Sequence, residues 1–121
     1  MVERKIKAIV TEHIDGDLYK QIMVQHYTLK QNQSFDLAGD NFASTIFALF
    51  NASGDYPKEK WNDAYKVVRA LILGAALCEN SRGGGDIDNI NMGQVLKDVA
   101  NMFKLAIDRG NDFSIYIMMD E

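Results

Sequence analysis

Apolar and polar positions alternate twice near the start of the chain, over residues 4–14 (RKIKAIVTEHI) and 18–30 (LYKQIMVQHYTLK), with Asp-Gly-Asp between them. A period of two reads as strand and the acidic glycine step as a turn, so the two runs form a β-hairpin. A two-residue turn at Asp15 and Gly16 would set Ile9 against Ile22 and Val10 against Gln21, leaving both faces half apolar. A three-residue loop, 15–17, pairs Ile14 with Leu18, Glu12 with Lys20, Val10 with Ile22, Ala8 with Val24 and Ile6 with His26. That register gives one nearly apolar face carrying one cross-strand ion pair, and it is the one expected. The opposite face then holds His13 with Tyr19, Thr11 with Gln21, Ile9 with Met23, Lys7 with Gln25 and Lys5 with Tyr27.

After QNQS the period lengthens. Asp40 is placed to cap a helix over 41–51, with Phe42, Ile46, Leu49 and Phe50 at helical spacing. Pro57 opens a second helix running from Lys58 to about Glu79, with Trp61, Tyr65, Val68, Ile72 and Ala75 on one face. Leu71, Leu73, Ala76 and Leu77 fill the other directions of its second half, so this helix is expected to be central and enclosed. Gly74 and the alanines permit close approach of a neighbouring helix or a symmetry mate. Asn91 and Gln94 have capping-box spacing, and the helix they start turns Val95, Val99, Met102, Phe103, Ala106 and Ile107 inward before Gly110 ends it. The closing run 112–119 (DFSIYIMM) alternates again and joins the hairpin as a strand. The order is ββαααβ: an α+β domain whose antiparallel sheet, an N-terminal hairpin plus a C-terminal strand, is covered on one face by three helices.

Composition fits a single domain spanning 1–121, since 121 residues with 47% hydrophobic content supply one core and not two. A net charge of −4 argues against a broad grip on a nucleic-acid polymer. A single cysteine excludes an intrachain disulfide and a thiolate metal cage, which fits a reducing, cytoplasmic compartment. The start MVERKIKAIV has no signal-peptide core. The longest apolar run, 70–78, is half of a membrane span, so no membrane role is expected.

Candidate chemistry concentrates in NSRGGGDIDNINMG, residues 80–93. Gly83, Gly84 and Gly85 can present amides to an anion, Arg82 adds charge, the following helix start adds its dipole, and Asn89 and Asn91 can bond a base or sugar. The run matches no phosphate-loop or dinucleotide fingerprint, and Asp86 and Asp88 oppose a phosphate, so a plain helix-to-helix connection competes with the ligand loop. A calcium loop starting at Asp86 fails at its fifth, sixth and twelfth positions, Ile90, Asn91 and Lys97. Arg109 either complements the end of the last helix or joins Arg82 or Lys104 on an anionic ligand. The expected register puts His13 and His26 on opposite hairpin faces, with His26 edging the core, which disfavours a shared metal. Cys78 reads as a buried thiol, and no nucleophile–base pair, metal motif or cofactor motif is present.

Two functions compete. One is a non-catalytic oligomeric binding protein that sequesters a small anionic or nucleotide-like ligand at Arg82, Gly83, Gly84, Gly85, Asn89, Asn91 and Arg109. Stand-alone acidic domains of this size are of the kind viruses and mobile elements use as counter-defence products. The other is a protein-interaction module or inhibitor that meets a host protein through its sheet face, where Lys5, Lys7, Tyr19, Met23, Tyr27, Tyr116 and Met118 are expected, or through a sheet edge. The apolar SIYIMM strand left at an edge predicts pairing with a second copy, a homodimer or higher assembly.

Overall fold

The hairpin is formed by β1 (Val2–Asp15) and β2 (Leu18–Gln31), and the chain then runs through α1 (Leu37–Ala52), a short β3 (Gly54–Tyr56), α2 (Trp61–Glu79), α3 (Ile87–Arg109) and β4 (Phe113–Asp120). The structure, a computed structural model, describes residues 2–16, 18–31, 37–79 and 87–120. The four strands form one antiparallel sheet in the order β2-β1-β4-β3, so the α+β class and the ββαααβ order both stand. β3 adds three residues at an edge, too few for any alternation to reveal them. Among the described residues no helix is long and apolar enough to cross a membrane.

Near its turn the hairpin follows the expected register, with His13 opposite Tyr19, Glu12 opposite Lys20 and Thr11 opposite Gln21. Then β2 takes an extra residue. Ile22 has no partner, Val10 faces Met23 and not Ile22, and the shift persists to the far end, so Ile6 faces Tyr27 and Lys7 faces His26. A bulge of this kind inserts one residue and reverses which alternate positions face inward. The sequence marks it by three consecutive apolar residues, Ile22, Met23 and Val24, where the apolar phase passes from even to odd positions. Met23 and Tyr27 consequently pack toward the helices and not on the outer face, while His26 is exposed and does not edge the core. The two histidines share the outer face after all, but about six strand residues, roughly 20 Å, separate them. At the turn, Asp15 faces Leu18 and Ile14 is the unpaired residue, with Gly16 at a φ of 52°.

The helix-side layer of the sheet is Ile6, Ala8 and Val10 of β1, Leu29 of β2, and Phe113, Ile115 and Ile117 of β4, all buried. β4 is interior over its first half: β1 flanks it on one side, β3 covers Phe113 to Ile115 on the other, and the Ile117 amide donates to Ser53 Oγ at 2.9 Å. The long outer edge is β2. Lys20, Lys30 and the bulge at Ile22 are the usual protections of such an edge.

α3 is the central helix. All six residues expected inward are buried, and Met92, Leu96 and Ala100 are buried as well, so α3 touches the sheet, α1 and α2 together. Its end is set by Gly110, whose φ of 84° lets its amide bond back to the Ile107 carbonyl at 2.9 Å. The enclosed position expected for α2 is overturned. α2 packs on α3 and α1, burying Ala64, Val68, Leu71, Ala75 and Cys78, while Leu73 and Leu77 are each 62% exposed and Tyr65 and Ile72 lie open too. The buried stripe is rotated by roughly 60° from the expected one, because close helix packing selects small residues for the contact and leaves large ones on the flanks.

That contact is tight. A Cβ at Gly74 would stand 3.3 Å from Leu96 Cδ1, and one at Gly93 would stand 3.1 Å from Glu79 Cγ and 3.2 Å from the Ala75 carbonyl. Gly93→Ala should therefore fail to deliver the gain of about 1 kcal/mol that helix propensity alone offers. Urea denaturation is expected to show a variant no more stable than the wild type, and a full propensity gain would mean that α2 and α3 separate at no cost.

The helix starts differ from expectation. α1 begins at Leu37, so Asp40 lies within the helix and not at the position before it. α3 begins at Ile87, so Asn91 is exposed within the helix and no capping box forms; Gln94 Nε2 donates instead to Asp98 Oδ1 at 3.0 Å. Asp86 and Asp88 compete for the start of α3 at the level of sequence, and Asn91 was one acid-rich turn too late.

Candidate functional site

The outer face of the sheet carries a connected polar chain. Ser114, in the middle of β4, lies opposite Thr11 of β1 on one side and Asp55 of β3 on the other. His13 Nε2 is 2.9 Å from Ser114 Oγ, Ser114 Oγ donates to Asp55 Oδ1 at 2.7 Å, and Tyr116 Oη donates to the same oxygen at 3.0 Å. Tyr19, across the hairpin from His13, meets the imidazole edge to face with ring centroids 4.6 Å apart. These residues and Thr11 line an open depression of about 320 Å³.

Backbone contacts hold the corner in place. The His13 amide donates to the Asp112 carbonyl at 2.8 Å, and the Lys58 amide donates to Asp112 Oδ1 at 2.9 Å, so one residue ties the hairpin, the β3 turn and the start of β4. Tyr56, beside Asp55, is buried and anchored by its hydroxyl on the Ala52 carbonyl at 2.7 Å. Below the site Tyr56 stacks on Phe113, and Phe103 meets both edge to face.

Hydrogen bonds from Ser114 and Tyr116 hold the Asp55 carboxyl below its usual range, with His13 and Lys60 adding smaller Coulombic help. The same bond to Asp55 pushes the Tyr116 phenol up. Asp55 is thus an acceptor only. Ser114 has one proton, and because it goes to Asp55, the serine oxygen accepts from His13 Nε2–H. The residue types of an acyl-transfer triad are present in another order. There the imidazole removes the serine proton; here it donates to the serine, which is only 3% exposed. In this arrangement the Ser114 hydroxyl proton is committed to Asp55.

Only part of the sequence-derived site falls among the described residues. Arg82, Gly83, Gly84 and Gly85 lie outside the described residues, as does the side chain of Asn89. Asn91 is described and exposed near the start of α3, whereas Arg109 closes the same helix, about 27 Å away along its axis at 1.5 Å per residue. Arg109 is also engaged. Its Nε donates to Glu12 Oε2 at 2.5 Å and its Nη2 to Oε1 at 3.2 Å, a two-pronged grip on a carboxylate that is 3% exposed. That bond lowers the Glu12 pKa against the opposing effect of burial, with Asn111 contributing a further hydrogen bond. Lys20 faces Glu12 in the register but is the minor electrostatic influence, so the expected cross-strand ion pair gives way to Arg109.

Cys78 and Tyr27 lie away from this site. Cys78 is buried with Thr45 Oγ1 3.6 Å from its sulfur, and burial pushes its thiol up. Tyr27, turned inward by the bulge, has its hydroxyl 4.0 Å from Met102 Sδ, and burial near Asp98 pushes its phenol up to about 12. Among the described residues no three His, Cys, Asp or Glu side chains gather as a metal site.

Sequence reasoning put His13, Tyr19, Thr11, Ser114 and Tyr116 on one sheet face but did not connect them. The missing member was Asp55, brought in by a strand too short to read. No protein-family model, no curated protein and no solved structure matches this chain, and the site is therefore read from its own geometry.

Proposed function

We propose that this chain is a non-catalytic binding protein that holds a partner protein on the open face of its sheet. One observation carries the reading: Tyr19 and Tyr116, 56% and 47% exposed, stand on a shallow depression whose polar floor is already hydrogen-bonded. Tyrosines contribute large contact area for little ordering entropy, and a fixed floor lowers the cost of binding further. A shallow, open shape suits a protein surface better than a small molecule, which needs enclosure. The polar chain supports a binding role because its proton order leaves no general base beside Ser114. A host protein met by a viral or mobile-element product remains the partner class favoured by size and charge. Sequestration of a small anionic ligand at residues 82–91 would have to proceed without Arg109 of the same chain.

The test is a comparison of wild type with Tyr19→Ala/Tyr116→Ala in affinity capture from the cells that express the protein, followed by titration of the recovered partner. Each tyrosine is expected to contribute about tenfold in affinity, so the double variant should bind on the order of 100-fold more weakly with an unchanged circular dichroism spectrum. Equal binding by a folded double variant would refute the sheet face as the contact.

A further inference from the structure

The outward side of α1 and α2 is apolar in a way the single chain leaves uncovered. From Ala70 to Cys78 α2 has no charged side chain in any direction, and a helix apolar all round is a buried helix. Yet Leu73 and Leu77, one turn apart, form a ridge with each leucine 62% exposed. Beside that ridge lies a groove of about 190 Å³ between the two helices, lined by Phe47, Ala48, Asn51, Val67 and Ala70 among others, with Phe47 69% exposed. The charged residues Asp63, Lys66 and Arg69 occupy only the preceding turns.

We propose that a second copy of this chain covers this face, in a two-fold dimer where the Leu73 and Leu77 ridge of each protomer packs into the α1–α2 groove of the other. A two-fold interface requires one patch to be complementary to itself, and here ridge and groove lie side by side, with α2 contributing to both. With antiparallel α2 helices the axis falls between Ala70 and Leu73, where the small alanine admits an interaxial approach of about 8–10 Å. The areas agree. Phe47, Ala70, Ile72, Leu73 and Leu77 expose on the order of 450 Å² per copy, within the range of functional surface patches. Doubled, and rimmed by Asn51, Lys66 and Arg69, that surface passes the roughly 1,000 Å² a specific interface needs. The contact differs from the sheet-edge pairing read from the sequence, and it does not depend on the sheet-face function.

Sedimentation velocity of the full chain from about 5 to 200 μM tests it. The wild type is expected to sediment as a dimer, with a melting temperature that rises with concentration. Leu73→Glu/Leu77→Glu should weaken association by 100-fold or more, since it would bury unpaired carboxylates, and should melt independently of concentration. Both leucines are exposed in the single chain, so the far-UV spectrum should be unchanged. Ala70→Trp, which fills the groove from the other side, provides a second disruption that adds no charge. A monomeric wild type at 200 μM overturns the proposal. Dimers that survive both variants overturn it as well and move the contact to the β2 edge.

Discussion

Phe103→Ala is expected to destabilise the protein by about 3–5 kcal/mol, the usual cost of emptying a fully buried aromatic position. Phe103 is wholly buried on the central helix, with its ring 5.1 Å from Tyr56 and 6.1 Å from Phe113 by centroid. Truncation removes its burial and both edge-to-face contacts, and the rings of Tyr56 and Phe113, stacked on each other, are too constrained to fill the space. A domain of this size has about 5–15 kcal/mol of stability in total, so the variant would lie near the edge of folding. Phe50→Ala, on the exposed side of α1 at 43%, should lose well under half as much. Urea titrations of the two variants give the comparison. Equal losses would mean that the aromatic cluster beneath the sheet is not the centre of the core.

Arg109→Met should lower the melting temperature at pH 7 by roughly 8 °C, and that deficit should shrink on acidification. With arginine present, the Glu12 carboxyl is held below its unfolded value, so its favourable contribution is complete at neutral pH and is lost as pH falls through the folded pKa. Without it, burial is the largest remaining influence and acts against the charged form, opposed by the weaker effects of Asn111 and Lys20. The penalty is then complete at neutral pH and disappears once the acid protonates. Wild type and variant therefore converge as pH falls through the lowered wild-type Glu12 pKa, below which the acid is protonated in both. The guanidinium is half in solvent, which keeps the effect smaller than for a fully enclosed pair. Melting curves from pH 7 to pH 3 distinguish this from loss of packing alone, for which the gap would not depend on pH. Asp55, also held low, weakens both proteins alike over the same range.

Where a local signal was strong, the chain could be read directly. The inward face of α3, the alternation of β4 and the hairpin pairs His13–Tyr19, Glu12–Lys20 and Thr11–Gln21 all follow from period and turn chemistry, because in each case local pattern and tertiary environment agree. Ile22 is where they part. An ordinary residue can occupy a bulge without glycine or proline to mark it, and one inserted residue reassigns Met23, Tyr27 and His26 to other faces. α2 departs for another reason. Its two apolar turns were read as enclosed, but periodicity reports that a surface requires cover and not which chain supplies it. The polar site was half legible: His13, Ser114 and Tyr116 are placed by alternation, while Asp55 arrives through long-range pairing that no local pattern encodes. Arg109 was noticed for its charge, and its partner Glu12 was assigned instead to the lysine opposite it.

Because α3 lies between α2 and the sheet, the two prominent surfaces of the molecule stand back to back, separated by two layers of about 10 Å each. Tyr116 lies on the outer face of the sheet and Leu73 on the outward side of α2. Substitutions on one side should therefore leave the other as it was, and a lineage, or a protein engineer, can retune one surface without renegotiating the other.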